Sequence, residues 1–310
     1  MVLAARLLSG LGLFVASLAS GWWCGRRGWL PEPRAAAVIR LVVTRLSPVV
    51  LCLSFWGREA LTPRLALLPL IGLAVALSTL LPAWAYARMA QLTRPQTGSF
   101  LTCAMFSNVG YFGALIAFAL YGEAAYSLAV IHLLFFSPSF YTVGLTLATR
   151  YGSSPGGASA SLFSDELRIY PVIGLGLGCL LSLARVPRPE ALGALNHALI
   201  PLDTALYVAA VASQVRWSLA RPWVGPMAAM SAIKFVYSPL IAWALVSWAG
   251  LSGLPRLVVL LQSAMPVGVS PLMLPTLFGL DKRLAHTLWI VTTAVAVVWL
   301  LIYLPILASL

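Results

Sequence analysis

Apolar runs of about 20 residues, the length that crosses a bilayer as a helix, repeat along the chain and are separated by Arg, Pro and Gly. In the first half they lie near 5–24, 36–56, 65–86, 99–121 and 124–148. In the second they lie near 168–184, 192–214, 224–248, 257–279 and 284–307. The stretch 150–164, rich in Gly, Ser and Pro, is too short for a domain and suits a connection between two halves. The pattern predicts an all-α polytopic membrane protein with ten transmembrane helices, five in residues 1–149 and five in 165–310.

The two halves share landmarks. Pro31, Glu32 and Pro33 precede the second span as Pro187, Pro189 and Glu190 precede the seventh, and Pro48 is echoed by Pro201. The fourth span closes in Tyr121, Gly122, Glu123, and the ninth in Phe278, Gly279, Leu280, Asp281. Because five is odd, the second half enters the membrane from the opposite side, so the pattern is a 5+5 inverted repeat.

Composition agrees with this division. Hydrophobic residues make up 61% and charged residues 9%, whereas a soluble domain carries about 25% charge. Of the 20 cations, 18 are arginine, scattered between apolar runs rather than gathered into a phosphate-tracking arm, which excludes a nucleic-acid partner. Eleven cations fall on one side of the predicted spans and six on the other, so the richer side is cytoplasmic and both termini lie outside. Residues 1–20, with Arg6 followed by an apolar and small-residue run, read either as a secretory signal or as a first helix running through Trp22 and Trp23; the repeat favours the helix. Cys24, Cys52, Cys103 and Cys179 are far apart and read as packing residues, and no Gly-rich phosphate loop or HExxH motif points to a cofactor or metal.

The chemistry concentrates in two badly formed helices. The fourth span carries Ser107, Asn108, Gly110 and Gly113 at its centre, and the ninth carries Gln262, Ser263, Pro266, Gly268, Ser270, Pro271 and Pro275. Pro and Gly break helices, and freed backbone groups survive at membrane depth only inside protein or beside a wet cavity. Matching breaks in two inverted halves point to a substrate site near the midplane. A half-helix starting at each break turns its positive end toward that site and favours an anion, while Asn108 and Gln262 add uncharged donors and acceptors. The competing reading is kinks and close packing.

Ionisable residues inside spans are expensive and usually functional or paired. Asp203 is the single acid within a span; it reads as the partner of Arg45 in a structural ion pair, or as a titrating or cation-binding group in sodium or proton coupling. Lys234 and Arg40 read as cations that snorkel to an interface or guide an anion, and His132 as a packed polar residue or a proton shuttle.

At these residues the sequence resembles the auxin efflux carrier family of membrane transporters, over nearly the whole chain. The resemblance rests on GWWCGRRGWL followed by IRLVVTRLSPVVL, on Asn108, Gly113 and Tyr121 to Glu123, and on Pro266, Gly268 and Pro271. It implies the fold shared with bile acid symporters and some sodium/proton antiporters, with crossing fourth and ninth helices. It also implies a transport domain of helices 3–5 and 8–10 that moves elevator-like against a scaffold of helices 1, 2, 6 and 7. The implied substrates are small organic anions, auxin-like or dicarboxylate, with Asn108 as the crossover Asn and Pro266 as the crossover Pro; a homodimer is implied too. Leu115 stands where the family usually has Pro, and Phe136 where plant members carry an amide, which argues against indole acids. The short loops look bacterial, placing the chain in the inner (plasma) membrane.

The expected function is thus a carrier of small organic anions with Ser107, Asn108, Gly110, Gly113, Gln262, Ser263, Pro266 and Gly268 at the substrate. The alternatives are a cation-coupled carrier that uses Asp203, an intramembrane enzyme pairing Ser107 or Ser263 with His132, and a sensor that does not transport.

Overall fold

The structure, a computed structural model, describes residues 2–56, 63–153, 169–214 and 224–308. Among these residues the protein is all α, with one isolated antiparallel bridge, Ser107 to Val267, and no strand. Helices α1 (Val2–Arg26), α2 (Glu32–Phe55) and α3 (Arg64–Met89) are followed by the shorter α4 (Arg94–Met105) and α5 (Val109–Tyr121), then by α6 (Glu123–Tyr151). The second half holds α7 (Ile169–Leu183), α8 (Glu190–Ala212), α9 (Val224–Trp248), the shorter α10 (Gly253–Ser263) and α11 (Leu274–Phe278), and α12 (Lys282–Leu304). Seven of these helices are long and apolar enough to cross a membrane. The count is seven rather than ten because the fourth and ninth spans are each cut in two and the described part of the sixth is only α7. Most of the predicted 150–164 connection, and Arg58, Arg168, Arg216 and Arg221 of the charge count, lie outside the described residues.

Helix ends follow from local chemistry. At α4, the Thr93 amide donates to Gln96 Oε1 at 3.0 Å, one arm of a capping box. At α12, Asp281 Oδ1 accepts the Leu284 amide at 2.9 Å, an N-cap. Arg26 lies 4.9 Å over the Trp22 ring, Arg27 5.5 Å over Trp23 and Arg88 4.9 Å over Trp84, pairs that suit the membrane–water boundary. Wide π-helical turns at Val42–Leu46 and Ile233–Tyr237 each end two residues before a proline, Pro48 and Pro239, whose missing N–H they accommodate.

The chain packs as two compact units, and each draws on both halves of the sequence. One comprises Met1–Pro63, Ala114–Ser127 and Ser161–Arg216, the other Arg64–Gly113, Leu128–Ala160 and Trp217–Leu310. In the first, α1 lies on α8 and α2 on α7 with backbones in contact. A side chain at Gly21 or Gly25 would strike the Ala209 or Ser213 carbonyl, and one at Gly174 or Gly178 would strike that of Pro48 or Cys52. Both sets are GxxxG pairs, the small-residue spacing that lets membrane helices approach closely, and the second follows the first by 153 positions. The opposite side of α7 leaves Val172, Ile173, Leu177 and Leu180 exposed, as a lipid-facing surface requires.

The same unit holds the one ion pair among the described residues. Arg188 donates to both Glu123 oxygens, at 2.6 and 3.0 Å, and to the Leu53 carbonyl at 2.6 Å. Asn196 Nδ2 bonds Glu123 Oε1 at 2.6 Å and Ser54 Oγ at 2.9 Å. Asp203 is 4% exposed and does not pair with Arg45: its Oδ1 accepts Ser47 Oγ–H at 2.7 Å, while Arg45 sits on the exposed face of the π turn. The expected ion pair is absent because Arg45 and Ser47, two residues apart at the wide turn, face different ways, and Ser47 is the one that meets Asp203.

Gly178 and Gly176 provide a matched test of the helix contact. Gly178→Ala forces a methyl into the Cys52 backbone and should cost about 1–3 kcal/mol. Gly176 has nothing within 4 Å, so Gly176→Ala should be neutral or gain up to about 1 kcal/mol from helix propensity. Thermal unfolding in detergent checks this; equal melting temperatures for the two variants would rule out the close approach.

Candidate functional site

The second unit contains both breaks. α4 stops at Met105 and α5 starts at Val109, while α10 stops at Ser263 and the chain turns helical again only at Ser270–Leu272 and in the five-residue α11. An unbroken helix would send the Asn108 amide to the Ala104 carbonyl. Here Asn108 N donates to Pro266 O at 2.8 Å, and Gly268 N donates to Phe106 O at 2.8 Å. The two breaks therefore satisfy one another. Gly268 suits this junction, because a Cβ there would lie 3.0 Å from the Ser107 carbonyl oxygen and 3.2 Å from that of Phe106, so the facing backbone would have to give by a few tenths of an ångström. Val267 N finds Thr292 Oγ1 of α12 at 3.1 Å.

Asn108 completes the turn into α5: its backbone carbonyl accepts Gly113 N at 2.9 Å and its Oδ1 accepts Phe112 N at 3.3 Å. It is 6% exposed and is not among the residues lining the adjoining cavity, so it shapes the break from within. Gly113 makes room for Gln262, since a Cβ there would overlap Gln262 Oε1 and lie 2.9 Å from Met265 Cγ. Gly110 meets only Leu133 Cδ2 at 3.9 Å and is not constrained by packing. The expected pair of facing half-helix N-termini reduces to one, α5, because α11 is too short to carry a helix dipole of consequence.

Beside the junction lies a small cavity of about 50 Å³, open at its mouth and lined by α3, the α4 end, α6, α9 and α10. Phe106, Phe135, Phe136, Leu73 and Met105 form its apolar walls; Thr79, Ser107, Ser139, Ser238, Gln262, Ser263 and His132 bring polar atoms to it. Gln262 is 1% exposed and neither its Nε2 nor its Oε1 has a hydrogen-bond partner. His132 packs with its backbone and ring against Gly72, its ring bonds the Leu68 backbone, and its Nδ1 has no partner.

Two expectations fail here. Lys234 does not snorkel: it is 0% exposed, with Nζ donating to Ala104 O at 2.6 Å and to Ser107 Oγ at 2.8 Å. The wide turn at Ile233–Tyr237 sits in a helix packed on α12 and on the α4 region, so the interior is the space within reach of the side chain. The Ser–His pairing also fails, because Ser263 Oγ donates to Leu260 O at 2.7 Å, Ser107 Oγ is bonded to Lys234, and His132 Nδ1 is unpaired. Among the described residues, neither serine is hydrogen-bonded to His132.

Of the expected site residues, Ser107, Asn108, Gly110, Gly113, His132, Lys234, Gln262, Ser263, Pro266 and Gly268 all belong to this unit, and Arg45 and Asp203 belong to the other. Sequence reasoning missed Thr79, whose Oγ1 lies 3.0 Å from Ala104 O, and the aromatic wall built on Phe106, whose ring meets those of Phe136 and Phe140 edge-on at 5.4 and 5.1 Å. No periodic signal separates Thr79 from a helix-facing hydroxyl. Phe106 adjoins the Ser107–Asn108 break, and that position was its only signal.

Comparison with known proteins decides the family. A model described as a membrane transport protein matches residues 9–154 and 170–304. The chain belongs to the auxin efflux carrier family of membrane transport proteins. An uncharacterized transporter of Methanocaldococcus jannaschii is 26% identical over 216 residues, a match that covers 66% of this chain and 66% of that relative. The family and the apolar helices make this an integral membrane protein.

The fit of Gly113 against Gln262 is testable by a double-mutant cycle. Gly113→Ala should destabilise by about 1–3 kcal/mol through overpacking. The double variant Gly113→Ala with Gln262→Ala should recover part of that loss, because the group struck is gone. Strictly additive melting shifts would show that the two residues do not meet.

Proposed function

We propose that this protein is a secondary transporter of small organic anions, carboxylates in particular, and that the substrate binds in the cavity beside the paired breaks. The observation that carries this is Gln262, a buried carboxamide with both polar ends unpartnered on a mostly apolar cavity. A buried amide group without a hydrogen bond costs about 1–3 kcal/mol. A carboxylate accepting from Nε2, with a hydroxyl or amine donating to Oε1, offsets that cost on binding. The Phe walls favour a substrate with an apolar body next to its charge.

Ser107 and Ser263 join Gln262 as contact residues, while Asn108, Gly113, Pro266 and Gly268 hold the frame that aims them. Gly110 borders the frame in the first turn of α5. The division into two units, one holding both breaks, supports movement of that unit as a body against the other in an elevator-type cycle. The paired GxxxG contacts, 153 positions apart, support the inverted repeat and helices 1, 2, 6 and 7 as the scaffold. The charge count supports outside termini in a bacterial plasma membrane, and the family resemblance supports a homodimer. The cation-coupled alternative rests on Asp203, buried and held by Ser47.

A thermal-shift screen of the purified protein against malate, malonate, other small carboxylates and indole-3-acetate tests the proposal. Saturating ligand raises stability by about 2.7 kcal/mol at a hundredfold excess over Kd. Gln262→Leu, close in size but without polar atoms, should weaken binding of the active compound about 10-fold or more, the equivalent of losing about 1.4 kcal/mol. A shift in the wild type that persists unchanged in Gln262→Leu would remove the site from this cavity. The absence of a shift with every carboxylate, together with a sodium-dependent shift abolished in Asp203→Asn, would favour the coupled alternative.

A further inference from the structure

The break in the fourth span frees the Ala104 carbonyl, because Asn108 N has gone to Pro266 O. In transporters with broken helices, such freed carbonyls at half-helix C-termini are where coupling cations are coordinated. Here the position is filled by a side chain. Lys234 Nζ donates to Ala104 O at 2.6 Å and to Ser107 Oγ at 2.8 Å, and Thr79 Oγ1 lies 3.0 Å from the same carbonyl. Lys234 is 0% exposed, and among the described residues it has no acidic partner. An ammonium held so deep without a counter-charge is expensive unless it serves a site.

Its position relative to the cavity indicates which site. Ser107 lines the cavity and Lys234 does not. Since Ser107 Oγ accepts from the ammonium, its own O–H is left to donate, and the positive charge stands directly behind that donor. The amine end satisfies the carbonyl end of α4, and in its protonated form it adds one positive charge behind the cavity wall.

We infer that Lys234 is the resident cation of this transporter, occupying the place of a coupling metal ion at the α4 break and charging the cavity for an anion, so that neither folding nor anion binding requires sodium. The inference rests on the transport function proposed above for its second half only; the replacement of a metal ion by the ammonium is read without any substrate.

The test uses the purified full chain. Wild-type melting temperature should be the same in sodium chloride, lithium chloride and choline chloride at equal ionic strength. Lys234→Ala should melt several degrees lower, and methylammonium should restore most of that loss while tetramethylammonium, which has no N–H to donate, restores none. Methylammonium should leave the wild type unchanged. Lys234→Met keeps the bulk and removes the charge; it should lose carboxylate binding by about 10-fold or more, the equivalent of about 1.4 kcal/mol. Sodium-specific stabilisation of the wild type, or a Lys234→Met protein that melts and binds as the wild type does, would overturn the inference. If Lys234→Ala does not fold, the wild-type salt comparison and Lys234→Met decide. A wild type that binds no carboxylate yet shows methylammonium rescue in Lys234→Ala would sink the proposed substrate class and keep the resident cation.

Discussion

A helix interrupted in lipid must find new partners for the backbone groups it frees, and in this protein two interruptions find each other. The bonds Asn108 N to Pro266 O and Gly268 N to Phe106 O are each 2.8 Å. They close both breaks with protein atoms where solvent is scarce. The rest of the second unit follows from them. The absence of a side chain at Gly268 lets the backbones meet without adjustment, Gly113 leaves the room that Gln262 fills, and the Ala104 carbonyl is met by Thr79 and Lys234.

The distribution of polar groups shows which parts of the site are structural and which are open to a ligand. Asn108 and Thr292 spend their side chains on nearby backbone, as buried groups in an apolar setting must. Gln262 and His132 Nδ1 do not. Unpaired groups that border a cavity with Phe, Leu and Met in its walls distinguish a binding surface from a packed core, where each such group would be a net loss.

The first unit is organised differently. Its helices meet backbone to backbone through glycine, so its contacts rest on close packing, and the ion pair of Arg188 with Glu123 ties the start of α6 to the chain just before α8. Apolar surface gives no advantage between helices in lipid, so packing of this kind, reinforced by a few buried polar bonds such as Asn196 to Ser54, supplies the stability.

The sequence alone determined that the chain is helical and membrane-embedded, where its long helices run, and that the fourth and ninth spans break at Ser107–Asn108 and around Pro266. Hydrophobic run length, proline and glycine act locally, and local causes are legible in one dimension. It also placed Gln262, Ser263 and Gly268 at the second break. Tertiary structure decided the partners. Lys234 turns inward rather than snorkelling, and Asp203 takes Ser47 rather than Arg45. Asn108 caps a turn, and Thr79 and Phe106 join the cavity. Each of these depends on which face of one helix meets which face of another. The π turns before Pro48 and Pro239 rotate those faces away from a regular helix, which no periodicity records.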